Sequence, residues 1–308
     1  MMALDRGTTA PFDDAQGSPD PSTSSGSSRP FDERGRGAPA TRAFDRLAPS
    51  YDTLVSGDTF LHQRLQTHTA FRRWIKPGFR VLEVGCGTGV DTAFLAAIGA
   101  KVVACDPSEE MLSRTRRRLA NAGFGDRAGI LSCRLQELPQ FLDALDHAEG
   151  FDAVVSNFGA LNCVPSLDAL GVIGRRHLRP GGAMILGLIG RTCLWETVYF
   201  TARGDALKAG RRRQSNVAVS VAGVAVPTFY HRRRDLHACL GEDFTLDGAL
   251  GIGVMVPPPY LEPRWQQLPI AIRRAAAGID RFAAAWPLVN QLGDHTLTRW
   301  VKSRVMHG

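Results

Sequence analysis

Several signals that assign a chain to a broad class are missing from these 308 residues. No apolar run approaches the eighteen or so residues of a membrane-spanning helix, so the sequence predicts no transmembrane segment. The first residues lack the apolar core of a secretory signal, which favours a cytoplasmic location. The six cysteines form no C-x-x-C pair, and no His, Asp or Glu group has metal-ligand spacing. We therefore expect free thiols in a reducing compartment and no bound metal.

Residues 1–40 are poor in aliphatic side chains and rich in Gly, Ser, Pro and Asp. Such a composition cannot bury enough apolar surface to offset the entropy of ordering. It predicts a disordered low-complexity tail, followed by one domain over residues 41–308.

The domain carries the positive charge of the chain. Residues 1–40 contain six acidic and four basic residues, so the formal net charge of +7 becomes +9 for residues 41–308. The excess arginine lies in three runs, Arg116–Arg118, Arg211–Arg213 and Arg232–Arg234. Such runs can attract nucleic acid, anionic lipid or an anionic substrate. Solvated helix faces and loops are the interpretation we prefer.

The sequence VLEVGCGTG at residues 81–89 is the stretch around which the domain is organised. An apolar run that ends in closely spaced glycines predicts a buried strand, a tight turn and then a helix. Glycine allows unusual backbone dihedrals and lets a ligand approach bare backbone. A dinucleotide fingerprint, G-x-G-x-x-G, would need its third glycine at Val90 rather than Gly89. With Glu83 inside the strand, the pattern fits an S-adenosylmethionine site better than a nicotinamide site.

Three further segments follow in order: KVVACDPSEEML at residues 101–112, FDAVVSN at 151–157 and LRPGGAMIL at 178–186. Together with the glycine turn they resemble the class I S-adenosylmethionine-dependent methyltransferases over residues 42–189. The resemblance implies an α/β, Rossmann-like sheet of seven mostly parallel strands with helices on both faces and an antiparallel last strand. We place that last strand at the sheet edge, at residues 296–301. The implied cofactor is S-adenosyl-L-methionine, with S-adenosyl-L-homocysteine as product.

The segment FDRLAPSYD at residues 44–52 is similar to the opening of methyltransferases of quinone and biotin biosynthesis. In those relatives it folds over the cofactor, so residues 41–76 are expected to form a helical cap with Tyr51 near the methionine part. A packed aromatic at a helix end is an equally good interpretation of Tyr51. The helix over residues 59–75 is expected to bury Leu61, Leu65 and Phe71.

An acid about twenty residues after the glycines accepts ribose hydroxyls in dinucleotide folds, and Asp106 lies at that distance. Asp106 to Glu109 also matches a helix capping box. At the adenine end the family often has an acid where this chain has Arg134, although Leu135 and Gln136 follow it. By resemblance, the cofactor contacts fall on Tyr51, Glu83, Gly85, Cys86, Gly87, Gly89, Asp106, Pro107, Met111, Leu135, Gln136, Asn157 and Phe158.

The segment after the fourth strand, residues 156–163, should line the space beside the transferable methyl group. It contains neither the N/D-P-P-Y/F motif of enzymes that methylate exocyclic base nitrogens nor the Pro-Cys pair of cytosine C5 enzymes. A DNA substrate is therefore not expected. Residues 190–228 exceed the family pattern and contain alternating valines, which predicts a helix and a hairpin that form a substrate cap. A peripheral packing element is the alternative.

Residues 258–292 are expected to form helices that pack on the sheet, with contact to a membrane surface as a second interpretation. The implied reaction is methyl transfer to an O, N or C nucleophile of a small, hydrophobic metabolite. An RNA or protein methyltransferase and a non-catalytic binding protein are the alternatives. Candidates for a general base, by location only, are Tyr51, His62, Asn162, Tyr230 and His231.

Overall fold

The computed structural model describes residues 39–145, 150–221 and 223–304. The predicted tail therefore lies outside the described residues, except for its last two positions, which begin helix α1 (Pro39–Leu47). No helix in these three ranges is both long enough and apolar enough to cross a bilayer.

Seven strands form one sheet and two form a separate hairpin. The strands are β1 (Arg80–Val84), β2 (Lys101–Asp106), β3 (Ala128–Ser132), β4 (Phe151–Ser156), β5 (Leu178–Ile189), β6 (Asn216–Val221), β7 (Val224–Phe229), β8 (Phe244–Ile252) and β9 (His295–Lys302). The order in the sheet is β3-β2-β1-β4-β5-β9-β8, and β1 to β5 are parallel. The α/β architecture predicted from the sequence is confirmed.

Helices cover both faces of this sheet. After α1 they are α2 (Tyr51–Leu54), α3 (Asp58–Trp74), α4 (Val90–Ala97), α5 (Glu109–Asn121), α6 (Leu138–Ala144), α7 (Asp168–His177), α8 (Leu194–Ala202), α9 (Ala206–Gly210), α10 (Arg233–Leu240), α11 (Glu262–Trp265) and α12 (Ile270–Ala283). Neighbouring strand residues point to opposite faces. Accordingly, Val81 packs with α3, α4 and α5, whereas Leu82 packs with α6, α7 and α10.

The last strand, β9, is antiparallel as predicted, but it is not the edge strand. It pairs with β5 on one side and with β8 on the other, so β8 forms the edge. Burial explains the order: Leu297 and Trp300 of β9 are almost fully buried, while three consecutive residues of β8, Thr245–Asp247, are exposed. The sequence placement of β9 at the edge was wrong.

Helix α3 has the predicted position, and Phe71 is buried as predicted, but the rest of the predicted buried face is not. The predicted apolar residues Leu61 and Leu65 are 51% and 63% exposed, whereas Gln63 and Thr67 are buried. The helix is rotated relative to the predicted orientation, so that its buried row contains both polar and apolar side chains. This row borders the candidate site.

The segment at 190–228 is partly as predicted. The helix predicted in this segment, over residues 192–207, is divided into α8 and α9. The valine-rich part forms the predicted hairpin, β6–β7, which turns at Gly223. Val221 and Val226 of the hairpin pack against Ala43 and Leu47 of α1. The hairpin and the N-terminal helix α1 therefore pack together as one unit.

Candidate active site

The turn after β1 has left-handed backbone at all three glycines, with φ of 74° at Gly85, 55° at Gly87 and 75° at Gly89. A side chain at Gly85 would collide with Ala160, and one at Gly89 would collide with Thr115. The space beside Gly87 is open. The two outer glycines are thus required by packing, while the middle one leaves bare backbone for a ligand.

Asp106, at the end of β2, faces this turn. Its Oδ2 accepts the Gly87 N–H at 3.0 Å and its Oδ1 accepts the Ser108 N–H at 2.9 Å. The alternative capping-box role belongs to another residue, since the Ser108 hydroxyl caps α5 by accepting the Met111 N–H. Burial raises the pKa of Asp106 to about 6, although these two hydrogen bonds oppose the shift. The carboxylate is thus positioned by backbone donors, and its remaining lone pairs can accept ligand hydroxyls.

Glu83 is the second acid of the site and is 3% exposed. Its Oε2 has no hydrogen-bond partner among the described residues. Burial, followed by the negative charge of Asp91, raises the pKa of Glu83 to about 8. A buried carboxylate oxygen without a donor is costly unless a ligand supplies one. An ammonium group meets that requirement, so the site fits the charged amino-acid part of S-adenosylmethionine.

Asp91, in the first turn of α4, contacts three side chains, of which the sequence predicted a site role only for Asn157. It accepts hydrogen bonds from His68 at 2.8 Å and from the Asn157 amide at 2.8 Å, and Arg64 lies 3.5 Å away. Burial alone would raise the pKa of Asp91, but these partners lower it. Asn157 therefore positions Asp91, a role that no local motif signals.

The N-terminal segment is closed over the glycine turn. Asp52 accepts the Thr88 hydroxyl at 2.7 Å and lies 2.6 Å from the Arg118 guanidinium. Asp45 accepts the Ser108 hydroxyl. Tyr51 is half-buried against the cluster that α1 forms with the hairpin, and burial raises its pKa to about 12. The predicted cap over residues 41–76 thus has specific anchors on the turn.

The remaining predicted cofactor residues differ in burial. Cys86 is buried beside Thr115, and burial raises the pKa of its thiol. Met111 and Leu135 are 2% and 6% exposed, which suits apolar contact, whereas Gln136 is exposed. Pro107 is half-buried at the start of α5.

Phe158 and His295, together with Phe60, form an aromatic wall beside the glycine turn. Phe158 has φ of 47° and stacks on Phe60, with ring centroids 4.8 Å apart. The His295 ring meets Phe158 edge-on at 5.7 Å. The Arg64 guanidinium lies over both aromatic rings, at 5.0 Å from Phe60 and 5.1 Å from Phe158. His295 was missed because a single histidine at a strand start belongs to no motif.

A buried ion cluster anchors the cap behind this wall. Arg212 donates to Glu196 and, at 2.6 Å, to Asp294, which lies 3.3 Å from the His295 ring. Burial raises the pKa of Asp294, but the neighbouring His295 ring and the Arg212 guanidinium outweigh this effect and lower it. Arg211 also donates to Glu196. The interpretation of residues 211–213 as a solvated run was therefore wrong for Arg211 and Arg212.

Four other candidates for a general base are engaged elsewhere. Both amide atoms of Asn162 bind backbone: Nδ2 donates to the Phe229 carbonyl and Oδ1 accepts the Ile189 N–H. His62 contacts Asp280 at 3.1 Å, and His231 lies 2.9 Å from the Val164 carbonyl. Tyr230 is 5% exposed, and burial raises its pKa. The structure does not bring these residues together with Tyr51.

A Rossmann-like sheet, a glycine turn and a strand-end acid define the class I S-adenosylmethionine-dependent methyltransferases, and the chain belongs to this family. The methyltransferase domain family matches residues 81–182. The cofactor of the family is S-adenosyl-L-methionine.

Within the class, the chain is similar to demethylmenaquinone methyltransferases. It is 38% identical to that of Clavibacter sepedonicus over 148 residues, which cover 46% of this chain and 55% of the relative. It is 36% identical to that of a Parafrankia species over 191 residues, which cover 56% and 72%. A Listeria monocytogenes crystal structure, provisionally named an S-adenosylmethionine-dependent methyltransferase, shares the fold with a TM-score of 0.51 and 16% identity, over 76% of this chain and 96% of that one.

Proposed function

We propose that the chain transfers the methyl group of S-adenosylmethionine to a small hydrophobic acceptor that carries an ionisable hydroxyl group on an aromatic ring. The names of the two bacterial relatives, both demethylmenaquinone methyltransferases, support a quinone-type acceptor, whose reduced hydroquinone form carries such hydroxyl groups. The observation that carries the proposal is the wall of Phe60, Phe158 and His295 beside the glycine turn. Two stacked rings accommodate a flat apolar acceptor, and the histidine can accept its proton.

The cofactor supplies a methyl group on a positively charged sulfur, which leaves with the electron pair of the broken carbon–sulfur bond. The protein must then align the acceptor and exclude water, and alignment alone is worth roughly 7–11 kcal/mol in favourable cases. His295 removes the hydroxyl proton, and the Asp294 carboxylate, 3.3 Å from its Nδ1, stabilises the charge that the ring gains. The electron pair of the resulting oxyanion attacks the methyl carbon directly, or through a conjugated ring carbon that afterwards loses its own proton.

The alternative functions are less well supported. Of the three arginine runs, Arg118, Arg211 and Arg212 are held in internal ion pairs and are not available to RNA. A non-catalytic protein that binds S-adenosylmethionine would share the cofactor residues, but it would have no use for a proton acceptor such as His295.

The test begins with isothermal titration of S-adenosylmethionine and S-adenosylhomocysteine into the full chain and into Asp106→Ala. Asp126→Ala, at an exposed turn far from the site, is the matched control. We expect S-adenosylmethionine to bind the full chain. Asp106→Ala should weaken this binding at least about tenfold, since the two hydrogen bonds that the carboxylate accepts from ligand hydroxyls are lost. Transfer of radioactive methyl groups to a panel of alkylated phenols and hydroquinones then tests the acceptor. Binding without transfer to any phenol, but with transfer to RNA or protein, would refute the proposed acceptor.

A further inference from the structure

Helix α12 and the turn after it present large apolar side chains to solvent. These exposed side chains belong to Ile270, Ile272, Ile279, Phe282, Trp286 and Leu288. Phe282 and Leu288 are each 82% exposed and Trp286 is 60% exposed. Scattered single apolar residues are normal on protein surfaces, but a group of this size within twenty residues marks an interaction site.

The exposed residues are ordered along the helix. Ile272, Ile279, Phe282 and Trp286 follow one another at spacings of seven, three and four residues, which places the first three on one side of α12 and continues their row beyond it. The buried positions Ala276, Asp280 and Ala283 lie on the side that packs against the protein. The apolar stripe therefore lies beside the packing face, and the residues that the structure describes leave it uncovered.

The exposed side of α12 that adjoins this stripe is positively charged. All residues from 266 to 291 are described, and they include Arg273, Arg274 and Arg281. The acidic residue in this range is Asp280, which is fully buried. Arg273 lies 3.5 Å from Asp58, while Arg274 and Arg281 are exposed. The surface thus combines exposed aromatic residues with positive charge that no acid on the same segment balances.

We propose that this surface, which we call the α12 face (Ile272, Arg274, Ile279, Arg281, Phe282, Trp286 and Leu288), docks to an anionic lipid bilayer. Aromatic and aliphatic side chains beside arginine are the composition of helices that lie in the headgroup region. Each arginine adds attraction to anionic lipid. A second copy of the chain is a poorer occupant, because it would bring arginines of the same sign into contact.

The α12 face is joined to the acceptor side by buried contacts. Asp280 accepts the N–H groups of Met255 and Val256 and contacts His62 of α3. The next two residues of α3, Gln63 and Arg64, contact Asp294 and the Phe158 ring. Docking would thus hold the acceptor side near the bilayer, where a hydrophobic acceptor is dissolved. This benefit rests on the proposed function, whereas docking itself does not.

Co-sedimentation with vesicles tests the proposal. The full chain is mixed with vesicles of phosphatidylcholine alone and of phosphatidylcholine with phosphatidylglycerol, at low and high salt. We expect binding to the anionic vesicles that salt weakens. Fluorescence gives a second readout: of the five tryptophans, Trp286 alone is exposed, so its emission should shift to shorter wavelength on binding.

Variants separate the contributions. Phe282→Ser with Trp286→Ser should weaken binding about tenfold or more, because both side chains lose their place in the headgroup region. Each of Arg274→Gln and Arg281→Gln should weaken it about fivefold. Leu207→Ser, at a 78% exposed leucine of α9, is the matched control and should bind as the wild type does.

Two outcomes would overturn the proposal. One is equal binding of wild type and the Phe282/Trp286 variant to anionic vesicles. The other is a dimer in light scattering that this variant dissolves, which would assign the face to a second copy. Titration with S-adenosylmethionine, expected to be unchanged in every variant, shows that the fold is intact and keeps the result separate from the proposed function.

Discussion

Asp52 of the N-terminal cap and Arg118 of α5 lie 66 residues apart in sequence and 2.6 Å apart in space. Arg118 also donates to the Thr88 carbonyl at 2.7 Å, so one side chain ties the cap to the glycine turn. The pair is partly exposed, which limits its strength. Its importance lies in its position, from which we infer that the closed cap slows the release of a bound cofactor.

Arg118→Ala should therefore release S-adenosylmethionine faster than the wild type, by about fivefold for a loss near 1 kcal/mol. Dissociation rates from stopped-flow displacement provide the measurement. Arg116→Ala removes the same charge from the same helix, but its pair with Glu109 is exposed, and it should leave the rate unchanged. Equal rates for both variants would show that the pair does not close the cap.

Affinity for S-adenosylmethionine should rise with pH between about 6 and about 7.5, below the range in which an α-amino group deprotonates. Glu83, with a pKa of about 8, holds a proton there, and an incoming ammonium group favours the carboxylate. Binding then releases the proton, which gives at most a tenfold gain per pH unit. Titration in buffers of different ionisation enthalpy counts the protons. Glu83→Gln should abolish the slope, and a retained slope would assign the proton to another group.

The same group predicts how stability depends on pH without ligand. Because the pKa of Glu83 lies above its ordinary value of 4.5, the folded chain binds a proton that the unfolded chain has lost. Unfolding free energy should therefore fall as pH rises from about 4.5 to about 8. Urea denaturation at several pH values measures this decline, which Glu83→Gln should reduce. Asp126→Asn, at an exposed position, should retain it.

Arg212→Met should destabilise the domain by about 3–5 kcal/mol, because Asp294 and Glu196 would lose the buried guanidinium that they share, and Arg211 would remain beside Glu196 alone. For a chain of this size the melting temperature should fall on the order of 10 °C. Thermal unfolding followed by near-ultraviolet circular dichroism is the measurement. Arg213→Met alters an exposed neighbour and should melt with the wild type. A small loss in Arg212→Met would mean that the cluster is solvated.

His295→Asn should lower kcat by a factor of about 10² to 10⁴, the usual contribution of a general base, while affinity for S-adenosylmethionine is unchanged. The assay uses the best phenolic acceptor of the panel, measured over a range of pH. His237→Asn, at an exposed histidine of α10, should retain activity. If His295→Asn turns over normally and Tyr51→Phe does not, the base is the tyrosine.

The parts of the site that were predictable are those that depend on local sequence. Gly85, Gly87 and Gly89 must adopt positive φ to turn the chain between strand and helix, and the strand-end position of Asp106 follows from spacing. Parallel strands then bring both to the same edge of the sheet. The class of fold and the cofactor could be predicted for this reason.

The parts that were not predictable depend on contacts between distant segments. Asp52 and Arg118 meet only when the cap folds back, and His295 reaches Phe158 only because β9 lies beside β5. The alternation of apolar and polar residues within β9 is the same whether the strand lies at the edge of the sheet or inside it, so the pattern does not give its position. Exposed apolar residues such as Leu61 also misled the assignment of the α3 face, since an apolar residue at a surface has no separate sequence signal.

The position of β9 has a consequence for biosynthesis. A nascent chain that has left the ribosome as far as β5 already contains the glycine turn, Asp106 and five parallel strands. Strand β8 follows, but its hydrogen-bonding neighbour is β9, which is made after the other described strands and also brings Asp294 and His295. The residues of the glycine turn are therefore complete early in synthesis, whereas Phe158 meets His295 only after β9 has been made. Premature termination before residue 294 would yield a chain able to form the cofactor turn but unable to complete the acceptor wall.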